Sequence, residues 1–357
     1  MAFFFSRDTK VFMSWSYDGS AAKTALYEIP VLDGFSFSQG TNTSEVTLSE
    51  AANSTGGSKR GRAMFTDSFA PAEWSFSTYM RPTVSGTGSA TTATDGVTNG
   101  QHGGNADKFA IEGPLWAAMS ANTYDRATGA SSADKSDYEP NVFNFANSNQ
   151  VTLGVFDLFF VLGASKDSEG NTYTTGTDGV TVYKLANCSV GSASIDFDIE
   201  GLAQIAWSGN GQSIEEVASL ETRATDSGNS ITGTTTLGIV NEGISSTSNY
   251  IRQKLTDLAI TFDHSASTGT LGALAVDGSN DVTYNVTLTG GNITIENNLT
   301  YLTPETLGSV NLPLGHVMGT RSVSGNFTCY LNDTANSSLD LFERLQESRG
   351  VITNAFD

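Results

Sequence analysis

The sequence predicts an all-β protein with minor helices, built from packed antiparallel sheets in a sandwich-like or barrel-like arrangement. Three observations carry that expectation. Charged residues make up only 16% of the chain while apolar residues reach 38% and aromatics 10%; Ser, Thr, Asn and Gly fill the difference, a mix that suits strands and turns. Several segments alternate apolar and polar residues with a period of two. Gly- and Ser-rich stretches punctuate them at short intervals.

Taken in order, residues 10–17 and 25–32 read as short strands. Phe35 and Phe37 alternate with Ser36 and Ser38, and Trp74-Ser75-Phe76-Ser77-Thr78-Tyr79 alternates in the same way. Together they predict a long hairpin over 33–80 whose loop, 51–61, carries Lys59 and Arg60, with Arg62 immediately after it. Residues 82–105 hold no apolar pattern and read as a surface excursion. A helix is expected over 107–121, with Phe109, Leu115, Trp116 and Met119 on one face and Pro114 weakening its middle. The apolar run 151–163 is a buried strand. A loop at 165–179 leads into a strand starting at Val180.

The segment Ile195-Asp196-Phe197-Asp198-Ile199-Glu200 sets apolar residues at odd positions against acids at even ones. One face is expected in the core and the other to carry three carboxylates into water. Leu202–Trp207 returns as a strand, and 222–247 is Ser/Thr/Gly-rich and linker-like. Strands are expected at about 255–263, 282–288, 292–301 and 317–331. A closing amphipathic helix runs from Ser337 through Gln346. Ser337 and Asp340 form a variant capping box, and Leu341, Phe342 and Leu345 form its apolar stripe.

Composition also bounds function. A formal net charge of −20 excludes a conventional nucleic-acid binder, which needs a Lys/Arg footprint. Cys188 and Cys329, the two cysteines, are too few for a disulfide scaffold and are expected to be buried thiols. Met1–Asp8 lacks the basic start and apolar length of a signal peptide, and no stretch approaches a transmembrane span. His102, His264 and His316 are scattered without metal-ligand spacing. No nucleophile, metalloprotease or phosphate-loop motif occurs. Asp196, Asp198 and Glu200 on one strand are better explained as a solvated face than as paired catalytic carboxylates. Asp277-Gly278-Ser279-Asn280-Asp281 reads as a turn, not a calcium loop. No catalytic, metal or cofactor-binding residue is assigned, and no enzyme is expected.

The C-terminal third carries a resemblance. Ile251-Arg252-Gln253-Lys254-Leu255-Thr256-Asp257-Leu258 is followed by Gly290-Gly291-Asn292-Ile293-Thr294-Ile295-Glu296-Asn297-Asn298-Leu299-Thr300-Tyr301-Leu302. Then comes Gly315-His316-Val317-Met318-Gly319-Thr320-Arg321-Ser322-Val323-Ser324-Gly325-Asn326-Phe327-Thr328-Cys329-Tyr330-Leu331. With Gly34–Glu45, these segments resemble the major tail tube proteins of long-tailed phages. The resemblance implies packed sheets plus a helix per tube module, and strands contributed to an inter-subunit β-barrel. It also implies rings, hexameric or trimeric with pseudo-sixfold symmetry, that stack into a conduit for the genome. An internal echo, Trp74–Met80 against Gly325–Leu331, fits a duplicated module, giving 1–245 as a first module with long loops (82–105, 165–179, 222–247) and 246–357 as a second, shorter one.

Under this resemblance, Asp196, Asp198, Glu200 and Glu296 are candidate lumen-lining acids, because negative charge repels the phosphates of passing DNA. Lys59, Arg60 and Arg62 are candidate inter-ring contacts. The implied partners are other copies of the chain, a tape-measure protein, a tail terminator, and baseplate or distal tail proteins. DNA would pass without specific binding, no membrane is involved, and the place is the virion tail, assembled in the host bacterial cytoplasm. Another virion component (a baseplate hub, fibre or adhesin) shares the composition, and a carbohydrate-active β-sandwich enzyme is the more distant alternative.

Overall fold

The computed structural model describes residues 8–15, 25–46, 63–80, 82–84, 101–102, 105–106, 108–110, 112–120, 153–163, 165, 172–221, 230–231, 234–235, 252–253, 258–262, 282–304, 311–343 and 345. The elements used below are β1 (Lys10–Trp15), β2 (Ala25–Ile29), β3 (Ser36–Val46), β4 (Ala63–Tyr79), α1 (Gly113–Ser120), β5 (Phe156–Leu162), β6 (Thr181–Asp198), β7 (Gln204–Gly211), β8 (Ser213–Val217), β9 (Leu258–Phe262), β10 (Val282–Val286), β11 (Leu288–Glu296), β12 (Leu299–Leu302), β13 (Gly315–Met318) and β14 (Ser322–Cys329). The protein is all-β with minor helix, as its composition predicts.

The chain forms two compact units. The first comprises residues 1–194, 204–250 and 295–322; the second comprises 195–203, 251–294 and 323–357. In the first, hydrogen-bonded neighbours run β2-β1-β5-β6-β7-β4-β3, and β8 also pairs with β6. The pairs β1–β2, β1–β5, β5–β6, β6–β8, β4–β7 and β3–β4 are antiparallel. Val11, Phe12 and Met13 are all buried, as is every residue of Phe156–Val161. The middle of this sheet is therefore covered on both faces, which explains its near-continuous apolar runs. Trp74, Phe76, Ile205 and Trp207 extend the core. The Trp207 indole donates to Thr78 Oγ1 at 3.0 Å, so its polar edge is satisfied where it is buried. Gly209 sits where β7 crosses this layer. A Cβ there would lie 2.1 Å from the Ser189 carbonyl oxygen and 2.6 Å from the Trp74 ring, so no side chain fits.

The sheet also buries charge in compensated form. Glu28 is buried, and Lys10 donates to it at 3.1 Å. Asp157 is buried beside Lys184 (3.7 Å) and accepts from the Asn187 amide at 2.9 Å; Lys184 also reaches Glu215 at 3.3 Å. Each buried carboxylate keeps both a cation and its place in the ladder, which limits the desolvation cost.

The predicted 33–80 hairpin is present as β3 and β4, paired from Ser36↔Ser75 out to Val46↔Ala63 with two register shifts. Its predicted loop, 51–61, lies outside the described residues. The predicted 107–121 helix is shorter. Lys108–Ala110 is a strand and the helix begins at Gly113, which puts Pro114 in the first turn. An amide hydrogen has no intrahelical partner there, so Pro114 starts the helix instead of weakening its middle.

In the second unit, β9 and β10 pair antiparallel from Leu258↔Val286 to Phe262↔Val282. The end of β6 pairs with β11, which in turn pairs with β14. Gly291 has φ 153°, and a Cβ there would come within 2.3 Å of the Asn326 carbonyl oxygen, so this close crossing of β11 and β14 requires glycine. Gln253 latches the β6 end: its Nε2 donates to the Asp196 carbonyl, and its Oε1 accepts from the Asp198 amide at 2.6 Å.

Several expectations are corrected here. The expected strand 292–301 is two strands, β11 and β12, broken at Asn297 and Asn298; Asn298 has φ 48°, a left-handed conformation that asparagine tolerates. The expected strand 317–331 is likewise broken between β13 and β14. Cys188 is buried as expected, but Cys329 is exposed at the end of β14. At the C-terminal helix, Ser337 accepts the first helical bond through its carbonyl (Leu341 amide, 3.0 Å), while its hydroxyl donates backwards to Asn332. Asp340 accepts from the Asn336 amide at 2.6 Å. The capping box is thus only half formed, one residue displaced. Of the predicted apolar stripe, Leu341 is half-buried whereas Phe342 and Leu345 are exposed.

Candidate assembly surfaces

The predicted acidic residues lie at the surface. Asp196 and Asp198 are exposed, alternating with half-buried Ile195 and Phe197. Phe197 packs on Phe327, ring centroids 6.4 Å apart. Glu200 is exposed too, but the alternation ends early: β6 stops at Asp198 and Ile199 is exposed, not core. The three acids share one strand end in the second unit. Glu296, also exposed, closes β11 and belongs to the first unit. Lys59, Arg60 and Arg62 lie outside the described residues.

Nothing in the described residues gathers chemistry. No group of three His, Cys, Asp or Glu side chains is placed to hold a metal. His102's side chain and His264 are outside the described residues. His316 hydrogen-bonds Ser189 through Nδ1 at 3.1 Å, and burial lowers its pKa. Beside it, Tyr301 OH donates to the Asn210 carbonyl at 2.9 Å, and burial raises its pKa. Both residues fasten the β12–β13 hairpin to the strands beneath. A depression lined by Phe197, Asp198, Ile199, Gln253, Leu288, Thr289 and Gly290 has a volume of about 110 Å³. That is well short of the roughly 300 Å³ at which small-molecule sites begin. No helix among the described residues is long and apolar enough to cross a membrane.

A buried polar junction lies where β11 ends. Asn297, fully buried, donates through Nδ2 to the carbonyls of Met119 (3.1 Å) and Val190 (3.0 Å), and its Oδ1 accepts from Arg321 Nε at 2.8 Å. One side chain thereby ties α1, β6 and the β13–β14 connection together. Burial lowers the pKa of Arg321.

The feature that strand periodicity missed is the amount of apolar surface left open. In the first unit Met64, Phe65, Leu302, Leu312, Leu314 and Val317 are exposed; in the second, every residue of β14 from Val323 on is exposed, followed by Tyr330 and Leu331. An alternating strand pattern shows that one face is apolar, but not whether its cover comes from the same chain. Apolar patches of this kind mark interaction surfaces.

No family model matches the sequence. A curated relative, the tail tube protein pb6 of Escherichia phage T5, is 29% identical over 353 residues. The match takes in 98% of this chain and 62% of the relative, so the chain spans less than two thirds of that protein's length. Among solved structures, a sheath/tube terminator of the PVC extracellular contractile injection system covers 61% of this chain and 99% of its own, at 10% identity and a TM-score of 0.30. That overlap is too loose to bear on the fold. The sequence relative is the finding that counts: over nearly its whole length, this chain is similar to a phage tail tube protein.

Proposed function

We propose that this protein is a structural subunit of a phage tail tube, without catalytic activity. The similarity to the T5 tail tube protein carries this reading. The open apolar strands support it, since a subunit that buries them only against its neighbours has a physical reason to polymerise. Copies stack as rings, trimeric with pseudo-sixfold symmetry or hexameric, and their strands complete a barrel between subunits. Asp196, Asp198, Glu200 and Glu296 line the bore, where negative charge keeps DNA phosphates from sticking during ejection. The tube encloses a tape-measure protein and meets terminator and baseplate proteins at its ends. It belongs to the virion tail and is assembled in the host cytoplasm.

Negative-stain microscopy of the purified protein tests this. Hollow filaments with a regular axial repeat are expected. Discrete closed oligomers without a bore would instead indicate a hub, fibre or adhesin and would overturn the proposal.

A further inference from the structure

The β3–β4 hairpin changes character at one point. Between Gln39↔Ala72 and Thr41↔Phe69 the register shifts, so Gly40 faces two residues, Ala70 and Pro71. Proline has no amide to give to a ladder, and inside sheets it is confined to edges and bulges such as this one. A bulge bends its strand and raises the local twist. Inward of the bulge, β4 pairs with β7 as far as Gly211↔Ala72, and Trp74 and Phe76 are core. Outward of it, Thr41–Glu45 and Met64–Asp67 are all exposed. A two-stranded ribbon with no core is marginal in water, so whatever aims it must act at its base.

Gln39 occupies that base. Its Nε2 donates to the Ala70 carbonyl at 2.9 Å and to the Gln212 carbonyl at 3.1 Å, and its Oε1 accepts from the Ile214 amide at 3.0 Å. The first bond takes up a carbonyl of the bulge itself. The other two span the break between β7 and β8, where Gln212 lies. Among the described residues β8 pairs only with β6, so the Ile214 amide finds in Gln39 the acceptor that a further strand would supply. One primary amide thus gives and accepts as a backbone peptide would, with both of its donor hydrogens engaged. The receiving turn is itself pinned to β6: the Gln212 amide donates to the Ala186 carbonyl at 2.8 Å, and Asn187 Nδ2 donates to Gln212 Oε1 at 2.6 Å. On the other strand of the hairpin, the Phe69 amide donates to the Asn311 carbonyl at 2.9 Å. Gln39 therefore holds the base of the ribbon from β3, and Asn311 holds it from β4. All of these residues belong to the first unit.

We propose that Gln39 is a positioning residue: its side-chain amide stands in for a backbone peptide at the β7–β8 break and fixes the direction in which the β3–β4 ribbon leaves the sheet, before any second copy is present. The value of such a clamp for assembly rests on the tube reading. A ribbon already aimed has little freedom left to lose when copies meet, and association is stronger by the ordering cost it avoids. Leucine has nearly the size of glutamine but makes none of the three bonds. Glutamate keeps the acceptor for Ile214, loses both donors, and turns a carboxylate toward the Ala70 and Gln212 carbonyls.

The test is a spin-label distance measurement on the unassembled full chain. Labels go on T43C in the ribbon and E216C in β8, both exposed positions, with the exposed Cys329 replaced (C329S) and the buried Cys188 left in place. With Gln39 present a single narrow distance distribution is expected. Q39L and Q39E should each widen it at least twofold. In the unlabelled chain, Q39L should raise the critical concentration for filaments at least fivefold. A distribution already broad with Gln39, or one that stays narrow in a folded Q39L or Q39E, overturns the clamp. Broadening without a change in critical concentration confirms the clamp and overturns its role in assembly. Absence of filaments from the unsubstituted protein overturns the tube reading, while the distances still decide whether Gln39 aims the ribbon.

Discussion

Trp74–Met80 and Gly325–Leu331 look alike as sequences, yet the structure treats them oppositely. Phe76 is 3% exposed, in the centre of the first unit, whereas its counterpart Phe327 is 40% exposed on a strand with no buried residue. The same alternation builds a finished core in one place and an unfinished face in the other. Pattern specifies which side of a strand is apolar; burial depends on what arrives to cover it.

The sharpest way to break the comparison is to disturb the finished side. Gly209→Ala drives a methyl group into the Ser189 carbonyl and the Trp74 ring, and should cost about 3 kcal/mol or more, as severe overpacking does. Trp207→Ala removes a fully buried indole and strands the Thr78 hydroxyl, for about 3–5 kcal/mol. Chemical denaturation of the unassembled protein checks both. Asn297→Ala leaves the Met119 and Val190 carbonyls short of a donor, an expected loss of about 1–3 kcal/mol in the same measurement. Phe327→Ser, on the open side, loses a partly covered ring and its contact with Phe197, an expected cost of about 1 kcal/mol in unassembled stability, while reducing filament yield in microscopy. A stability loss as large as that of Trp207→Ala would show that the second unit's face is already covered.

The smallest effect is a pH effect. Burial depresses the His316 pKa, so the unfolded chain binds the proton more readily than the folded one. This group's contribution is present above the ordinary histidine pKa and is lost as pH falls through and below it. Protection of the amides in 299–302 and 315–318, measured relative to their intrinsic exchange rate at each pH, should fall between about pH 7 and 5, the range in which an unperturbed histidine charges. The dependence should vanish in His316→Gln.

Much of the fold was legible. The long hairpin, an apolar strand within 151–163 (observed as Phe156–Leu162) and the alternation from Ile195 as far as Asp198, short of the expected Glu200, follow from periodicity, because each buries a face against its own unit. Breaks at Asn297–Asn298 and Gly319–Arg321 were not legible. They depend on one buried asparagine meeting carbonyls far away in sequence, and no local window contains that information. Ile199, Phe342 and Leu345 are exposed for a related reason: apolar spacing along one element does not supply a cover for it. Asp196, Asp198 and Glu200 are exposed as expected of the polar face of an alternating strand, because a carboxylate is strongly held in water.

The interleaved order of the two units has a consequence for biosynthesis. The first unit includes residues 295–322, with Asn297 and Arg321 at its buried junction. A ribosome must therefore translate 322 of the 357 residues before that unit can close. Until then the nascent chain lacks the β12–β13 hairpin and the Asn297–Arg321 junction, and termination at residue 250 would yield an unfinished domain, whereas termination after 322 would spare it.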